Sequence, residues 1–287
     1  MPFAPDNTAP IGVFDSGVGG LTVLHELLVA LPQEDFLYLG DSARFPYGDR
    51  TPDELRAFSR QIADALLARG AKLIVVACNS ATSSALDDLV AYVAEHGHGA
   101  DVIGVVGPES NLAVAQTRSG RIGVLATPAT IASGAYERAV LTVDPLVRLT
   151  SVACPQLARI SQDGAPITEA DVELARAYCT PLREAQVDTA ILGCTHYPFV
   201  RSLLQRLLGP QVTLITSGTA IARRVQHALE ARDLTTPRRT GEGRYSFLCT
   251  GDAAAFAAVG SRFLQLPMGA VDQIELAAGD ASTLAAG

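Results

Sequence analysis

Short, nearly continuous apolar runs alternate with amphipathic segments along most of the chain. Ile11-Gly12-Val13-Phe14, Phe36-Leu37-Tyr38-Leu39 and Leu73-Ile74-Val75-Val76-Ala77 read as strands, and runs apolar on both faces fit parallel strands covered on both sides. The segment from Leu21 to Leu31 has helical periodicity and is stopped by Pro32. Thr51-Pro52-Asp53-Glu54 supplies the cap, early proline and acidic first turn of a helix that runs to about Arg69. A further helix begins at Asn79 and ends near Gly97 and Gly99.

After Gly99 the same grammar restarts. Val102-Ile103-Gly104-Val105-Val106 and Ile122-Gly123-Val124-Leu125-Ala126 read as strands, and Tyr136-Glu137-Arg138 falls within a helix. A strand from Val147 to Val152 ends at Cys154. A long helix from Glu169 to Gln186 precedes the strand Thr189-Ala190-Ile191-Leu192-Gly193, which delivers Cys194. Strands at Val212 to Ile215 and Tyr245 to Cys249, and helices at Thr219 to Arg232 and Ala253 to Phe263, follow; little stable structure is expected after Gly269. Ile122 lies 111 residues after Ile11, and Cys194 lies 116 after Cys78. Such spacing fits either two related units or coincidence among common strand–helix–strand segments. The expected architecture is α/β: two similar open parallel-sheet domains related by pseudo-twofold symmetry. Residues 1–98 plus 211–287 form a discontinuous first domain supplying Cys78, and residues 99–210 a second supplying Cys194. Ligands of open α/β sheets collect beyond the carboxyl ends of strands, so two facing ends would make one shared cleft.

Composition narrows the function. The 287-residue chain is 48% hydrophobic, enough for a sizeable core, and its formal charge of -8 gives no long-range attraction for nucleic acid or acidic lipid. The opening residues lack a basic flank and an apolar core, so no signal peptide is read there. No stretch approaches the ~20 apolar residues that span a bilayer, and a soluble, cytoplasmic protein is expected. The five cysteines have no CxxC spacing, which argues against a disulfide scaffold and against structural zinc. His96 and His98 read as a polar turn rather than a metal fragment, and no metal is expected.

Cys78 and Cys194 each close a strand and precede a polar residue at a helix entrance, Asn79 or Thr195. A buried structural thiol is one reading of each. The other is a pair of acid–base groups: a thiolate removes a proton from carbon, a neutral thiol returns one on the opposite face, and amide dipoles at the helix starts favour the charged form. Asp15 either poises Cys78 or accepts a substrate ammonium proton, or bonds the backbone of the Ser16-Gly17 turn. His196 is either a general acid, a general base or a group that poises Cys194, or else a capping or core histidine. Ser16-Gly17-Val18-Gly19-Gly20 lacks both the third glycine of a dinucleotide loop, where Thr22 stands, and the lysine of a P-loop. A small carboxylate fits better, with Ser16, Asn79, Ser80, Thr82, Thr130 and Thr195 as neutral donors. Cys154, Cys179 and Cys249 are assigned to packing, and no GxSxG elbow supports a serine hydrolase.

Phe14-Asp15-Ser16-Gly17-Val18-Gly19-Gly20, Gly40-Asp41 with Pro46-Tyr47-Gly48, Ala77-Cys78-Asn79-Ser80-Ala81-Thr82 and Gly193-Cys194-Thr195-His196-Tyr197-Pro198 together resemble glutamate racemase of the aspartate/glutamate racemase superfamily, from Ile11 through Phe263. The resemblance implies two α/β domains with the active site between them, no cofactor, a homodimer, and interconversion of L- and D-glutamate for peptidoglycan in cell-wall biogenesis and cell shape. It implies Cys78 as base toward D-glutamate and Cys194 toward L-glutamate, assisted by Asp15 and His196. Ser16, Pro46, Tyr47, Gly48, Asn79, Ser80, Thr82, Thr127, Thr130 and Thr195 match substrate-binding or cleft-forming segments. Racemization of aspartate or another acidic amino acid, and amino-acid binding without catalysis, are the alternatives. One departure stands out: beyond Cys154-Pro155 the family carries an acidic residue where this chain has Gln162, with Asp163 next to it. An amide cannot act as a carboxylate.

Overall fold

A computed structural model of the chain describes residues 6–96, 99–163, 165–238 and 240–276. His98 and the extreme C-terminal residues lie outside them, as does the side chain of Asp163. The expected apolar runs form β1 (Ile11–Asp15), β2 (Phe36–Gly40) and β3 (Leu73–Val76), interleaved with α1 (Leu21–Ala30) and α2 (Pro52–Leu67). Helix α2 opens with a reciprocal capping box between Thr51 and Glu54 and a proline in its first turn, as its sequence predicts. There follow α3 (Asn79–His96), β4 (Asp101–Gly104) and α4 (Val106–Gln116), then β5 (Arg121–Ala126), α5 (Pro128–Ala132), α6 (Ala135–Val143) and β6 (Arg148–Ala153). The chain continues through α7 (Leu157–Asp163), α8 (Glu169–Glu184), β7 (Thr189–Gly193), α9 (Arg201–Leu208) and β8 (Thr213–Ile215). It ends with α10 (Ser217–Ala231), β9 (Tyr245–Cys249), α11 (Ala253–Leu264) and β10 (Val271–Gln273).

The strands make two sheets, ordered β10-β9-β2-β1-β3-β4 and β6-β5-β7-β8, with every pairing parallel. The order β2-β1-β3-β4 recurs as β6-β5-β7-β8, so β1 and β5 are equivalent, as are β3 and β7. Each sheet is covered on both faces at its centre, which is why the central strands lack polar alternation. On β1, Ile11 and Val13 pack with Leu24, Leu27, Ile221 and Val225, whereas Phe14 faces Ile62, Leu66 and Leu89. On β5, Val124 meets Ala113 and Val140, and Leu125 meets Leu182 and Leu204.

Four details depart from the sequence reading. The run Val102 to Val106 leaves its sheet after Gly104, and Val106 already begins α4; apolar residues continue across the boundary, so hydrophobicity alone cannot mark it. Helix α7 was not expected, because seven residues after Cys154-Pro155 carry no capping signal. Beyond Gly269, β10 pairs with β9 through its backbone, an edge strand whose Val271-Asp272-Gln273 has no apolar pattern to reveal it. By sheet membership the crossovers lie after Gly104 and after Ile215, not at 98/99 and 210/211, since β4 belongs to the first sheet and β8 to the second.

Candidate active site

The carboxyl ends of the central strands face each other across a cleft between the two sheets. Cys78 follows β3 and Cys194 follows β7; both are nearly buried, at 4% and 8% exposure. They line one cavity of about 20 Å³, room for about one water molecule. Ser16, Asn79, Ser80 and the segment Phe45-Pro46-Tyr47-Gly48 reach it from the first domain, and Thr127, Ala158, Thr195 and His196 from the second. Two glycines permit this closure. A Cβ on Gly19 would lie 2.4 Å from Thr195 Oγ1 and 2.5 Å from the His196 ring, and one on Gly48 would lie 2.8 Å from Thr127 Cβ. An exposed Arg159–Asp49 pair at 3.6 Å also spans the two domains, a contact of little energetic weight in water.

On the first wall Asp15 sits behind Cys78 rather than in the cavity. Its carboxylate accepts the Gly20 backbone N–H at 2.9 Å, and the neighbouring Cys78 thiol and the N–H groups of Ser16 and Gly17 favour its ionised form. Burial raises the Asp15 pKa. Burial also pushes the Cys78 thiol up, the nearby Asp15 charge adds to this, and the N–H groups of Ala81 and Ser16 pull the other way. On the second wall burial lifts Cys194 to about 12, against the N–H groups of His196 and Tyr197. Cys194 Sγ lies 3.8 Å from His196 Nδ1, and His196 Nε2 lies 3.0 Å from Gln162 Oε1. With the amide oxygen accepting, Nε2 carries the proton and Nδ1 is free to accept from the thiol. Burial drops the His196 pKa to about 3, with Arg262 adding to the effect, and the rings of Phe45 and Phe263 stand 5.3 and 5.4 Å from the imidazole.

Hydroxyls join the walls. Ser80 Oγ lies 2.8 Å from Thr127 Oγ1, which lies 3.0 Å from Thr130 Oγ1, and Thr195 Oγ1 reaches Asp15 Oδ1 at 3.5 Å. Thr130 is thus one layer behind the cavity. Thr82 is further away, its hydroxyl donating to Val76 O and accepting from Val105 N–H, which ties β3 to the first crossover. Tyr47 lines the cavity, but its hydroxyl donates to buried Asp41, which also holds Arg44 and Thr250. Phe45 and Ala158 line the cavity without any mark in the sequence, while Gln162, visible there only as a departure from a pattern, is the partner of His196.

All five cysteines are free and buried; among the described residues no group of three or more His, Cys, Asp and Glu is arranged to hold a metal ion, and no helix is long and apolar enough to cross a membrane.

Residues 16–225 match the family model of Asp/Glu/Hydantoin racemase. The chain is 42% identical over 268 residues to the glutamate racemase of Geobacter metallireducens, covering 93% of this chain and 97% of that protein. In three dimensions it resembles a glutamate racemase isoform of Bacillus anthracis with a TM-score of 0.87 and 34% identity, over 94% of this chain and 98% of the other. It also resembles the Francisella tularensis glutamate racemase in complex with D-glutamate, with a TM-score of 0.86 and 31% identity over the same shares. The chain belongs to the Asp/Glu/hydantoin racemase family and within it is similar to glutamate racemases.

Proposed function

We propose that the chain is a cofactor-independent glutamate racemase that interconverts L- and D-glutamate by a two-thiol mechanism. The observation that carries this reading is a pair of thiols on opposite walls of one cavity, each beside its own proton acceptor, Asp15 or His196. Both resting thiols are held protonated by burial. A substrate ammonium brought between them adds a positive charge that favours a thiolate. One thiolate takes the α-proton, the electron pair of the broken C–H bond spreads into the α-carboxylate, and the opposite thiol gives its proton to the other face of the carbon. Asp15 holds the displaced proton on the Cys78 side; on the Cys194 side His196 Nδ1 does so, and the substrate's carboxylates favour the imidazolium that this forms in place of the neutral ring of the unliganded site. The amides that lower the two thiol pKa values, and the hydroxyls of Ser80 and Thr127, which Thr130 orients from behind, supply neutral donors for carboxylate charge as it develops. Supply of D-glutamate for peptidoglycan, a cytoplasmic location and a homodimer belong to the same reading.

Incubation with L-glutamate in deuterated water, without added cofactor, tests it by chiral separation and mass spectrometry. The expected product is α-deuterated D-glutamate, reduced by about 10²–10⁴-fold in Cys78→Ser and in Cys194→Ser. Folded protein that exchanges no α-proton of glutamate would overturn the reading, and turnover of aspartate alone would reassign the substrate.

A further inference from the structure

Glu109 is a buried carboxyl with no part in the proton transfers above. It lies in the first turn of α4, fully enclosed, and gathers donors from three other segments. The Ser217 hydroxyl at the start of α10 donates to Oε1, and the Tyr136 hydroxyl of α6 donates to Oε2. Asn79 Nδ2, at the start of α3, donates to Oε2 at 3.1 Å. No cation is among the groups that set its proton affinity; the titratable groups that respond to its charge are Tyr136 from α6 and Cys194 beyond β7.

The consequence falls on Asn79, the residue after Cys78. Its amide nitrogen is committed to Glu109 and, at 2.8 Å, to the Tyr136 hydroxyl. Its amide oxygen is buried and has no partner, and the residue lines the cavity beside both thiols. An amide can turn about its last torsion and exchange its two ends. Turning here would set the oxygen against the Glu109 carboxylate, so the charge fixes which end is left over. The end left over is an acceptor, which is unfavourable while unpaired and complements an ammonium rather than a carboxylate.

We propose that Glu109 is a positioning residue that locks the Asn79 amide so that its oxygen stands ready to accept from the ammonium group of the substrate. The identity of that ligand rests on the glutamate racemase reading; the geometry of the lock does not. Three donors suit an ionised carboxylate, whereas a protonated one adds a hydrogen where its neighbours already point theirs. Burial lifts the Glu109 pKa to about 7, so the lock is set above neutrality and released below it.

Glu109→Gln, Asn79→Ala and the double variant test this through kcat and KM for D-glutamate from about pH 6 to about pH 9, across the Glu109 transition. Glu109→Gln is expected to raise KM by about tenfold, the loss of one charge-assisted hydrogen bond, with kcat within about threefold. The rise of the wild-type KM as pH falls through about 7 should be absent in this variant, and the substitution should add nothing once Asn79 is alanine. An unchanged KM, or an equal loss in the Asn79→Ala background, overturns the proposal. Glu109→Asp keeps the charge and should retain the pH dependence; it serves if Glu109→Gln does not fold. Wild-type protein that fails to exchange the α-proton of glutamate would sink the functional reading alone. The lock is then decided on unliganded protein by melting temperatures of the same variants, where additive effects at 109 and 79 overturn it and non-additive ones sustain it.

Discussion

Cys78 and Cys194 stand just past equivalent strands, β3 and β7, and burial holds both in the thiol form, yet the groups behind them differ in kind. Cys78 is backed by a carboxyl enclosed in backbone N–H groups. Cys194 is backed by an imidazole kept neutral by burial, whose far nitrogen meets an amide instead of an acid. A repeated fold has therefore produced two proton-transfer stations of different electrostatic character. Thermodynamics restricts how that difference can be seen. Enantiomers have equal free energies in water, so kcat/KM must be the same in both directions for the wild type and for every variant. Inequality of the two walls must appear in kcat and KM separately, or in isotope effects.

The largest expected effects come from removing the two acceptors. Asp15→Asn and His196→Asn should each lower kcat by about 10²-fold or more. In Asp15→Asn the substrate isotope effect should grow for α-deuterated D-glutamate, whose proton goes to Cys78 in the assignment that the family resemblance implies, and shrink for the L-enantiomer; His196→Asn should do the reverse. Rates with the four labelled and unlabelled substrates read this out, and identical responses in the two variants would break the comparison. A smaller loss is expected from Gly19→Ala, whose new methyl has no room beside Thr195 and His196. It should cost about 1–3 kcal/mol of stability in urea unfolding. It should also speed alkylation of Cys194 relative to Cys78 in peptide mapping, and equal acceleration of both would show that the two walls are not separable.

The smallest effect sharpens the electrostatic contrast. His196 has a folded pKa of about 3 against an ordinary 6.5. Its contribution to stability is therefore complete above about 6.5 and is lost as pH falls toward 3, because the unfolded chain binds the proton first. Gln162→Glu places a carboxylate at Nε2 and should raise the folded value by at least about one pH unit, narrowing that window from below. Imidazole NMR titration and urea unfolding at mildly acid and neutral pH measure both consequences. An unmoved titration would mean that residue 162 does not govern this imidazole.

Much of this was readable before any coordinates. Apolar runs identify the central strands because both faces of each sheet are covered, and Thr51 to Glu54 announces α2 through the chemistry of its first turn. The same runs place Cys78 and Cys194 at strand ends, since the polarity change after each run coincides with the change of element. What stayed hidden depends on groups distant in sequence. Nothing local marks Glu109, which gains its importance from Asn79, Tyr136 and Ser217, 30, 27 and 108 residues away. Tyr47 lines the cavity, but only the fold reveals that its hydroxyl is spent on Asp41. Strand β10 is invisible for a different reason: backbone pairing at a sheet edge needs no side-chain pattern.

The two crossovers, after Gly104 and after Ile215, carry a mechanical consequence. A rigid body attached to another at two points keeps both attachments unstretched only by turning about the line that joins them. A cavity with room for about one water molecule must widen to admit any larger ligand, and this linkage leaves a single degree of freedom for doing so. Glu109 and Ser217, bonded to each other in the first turns of the helices that follow the two attachments, tie the two connections together, while Gly19 and Gly48 stand where the walls of the two domains touch.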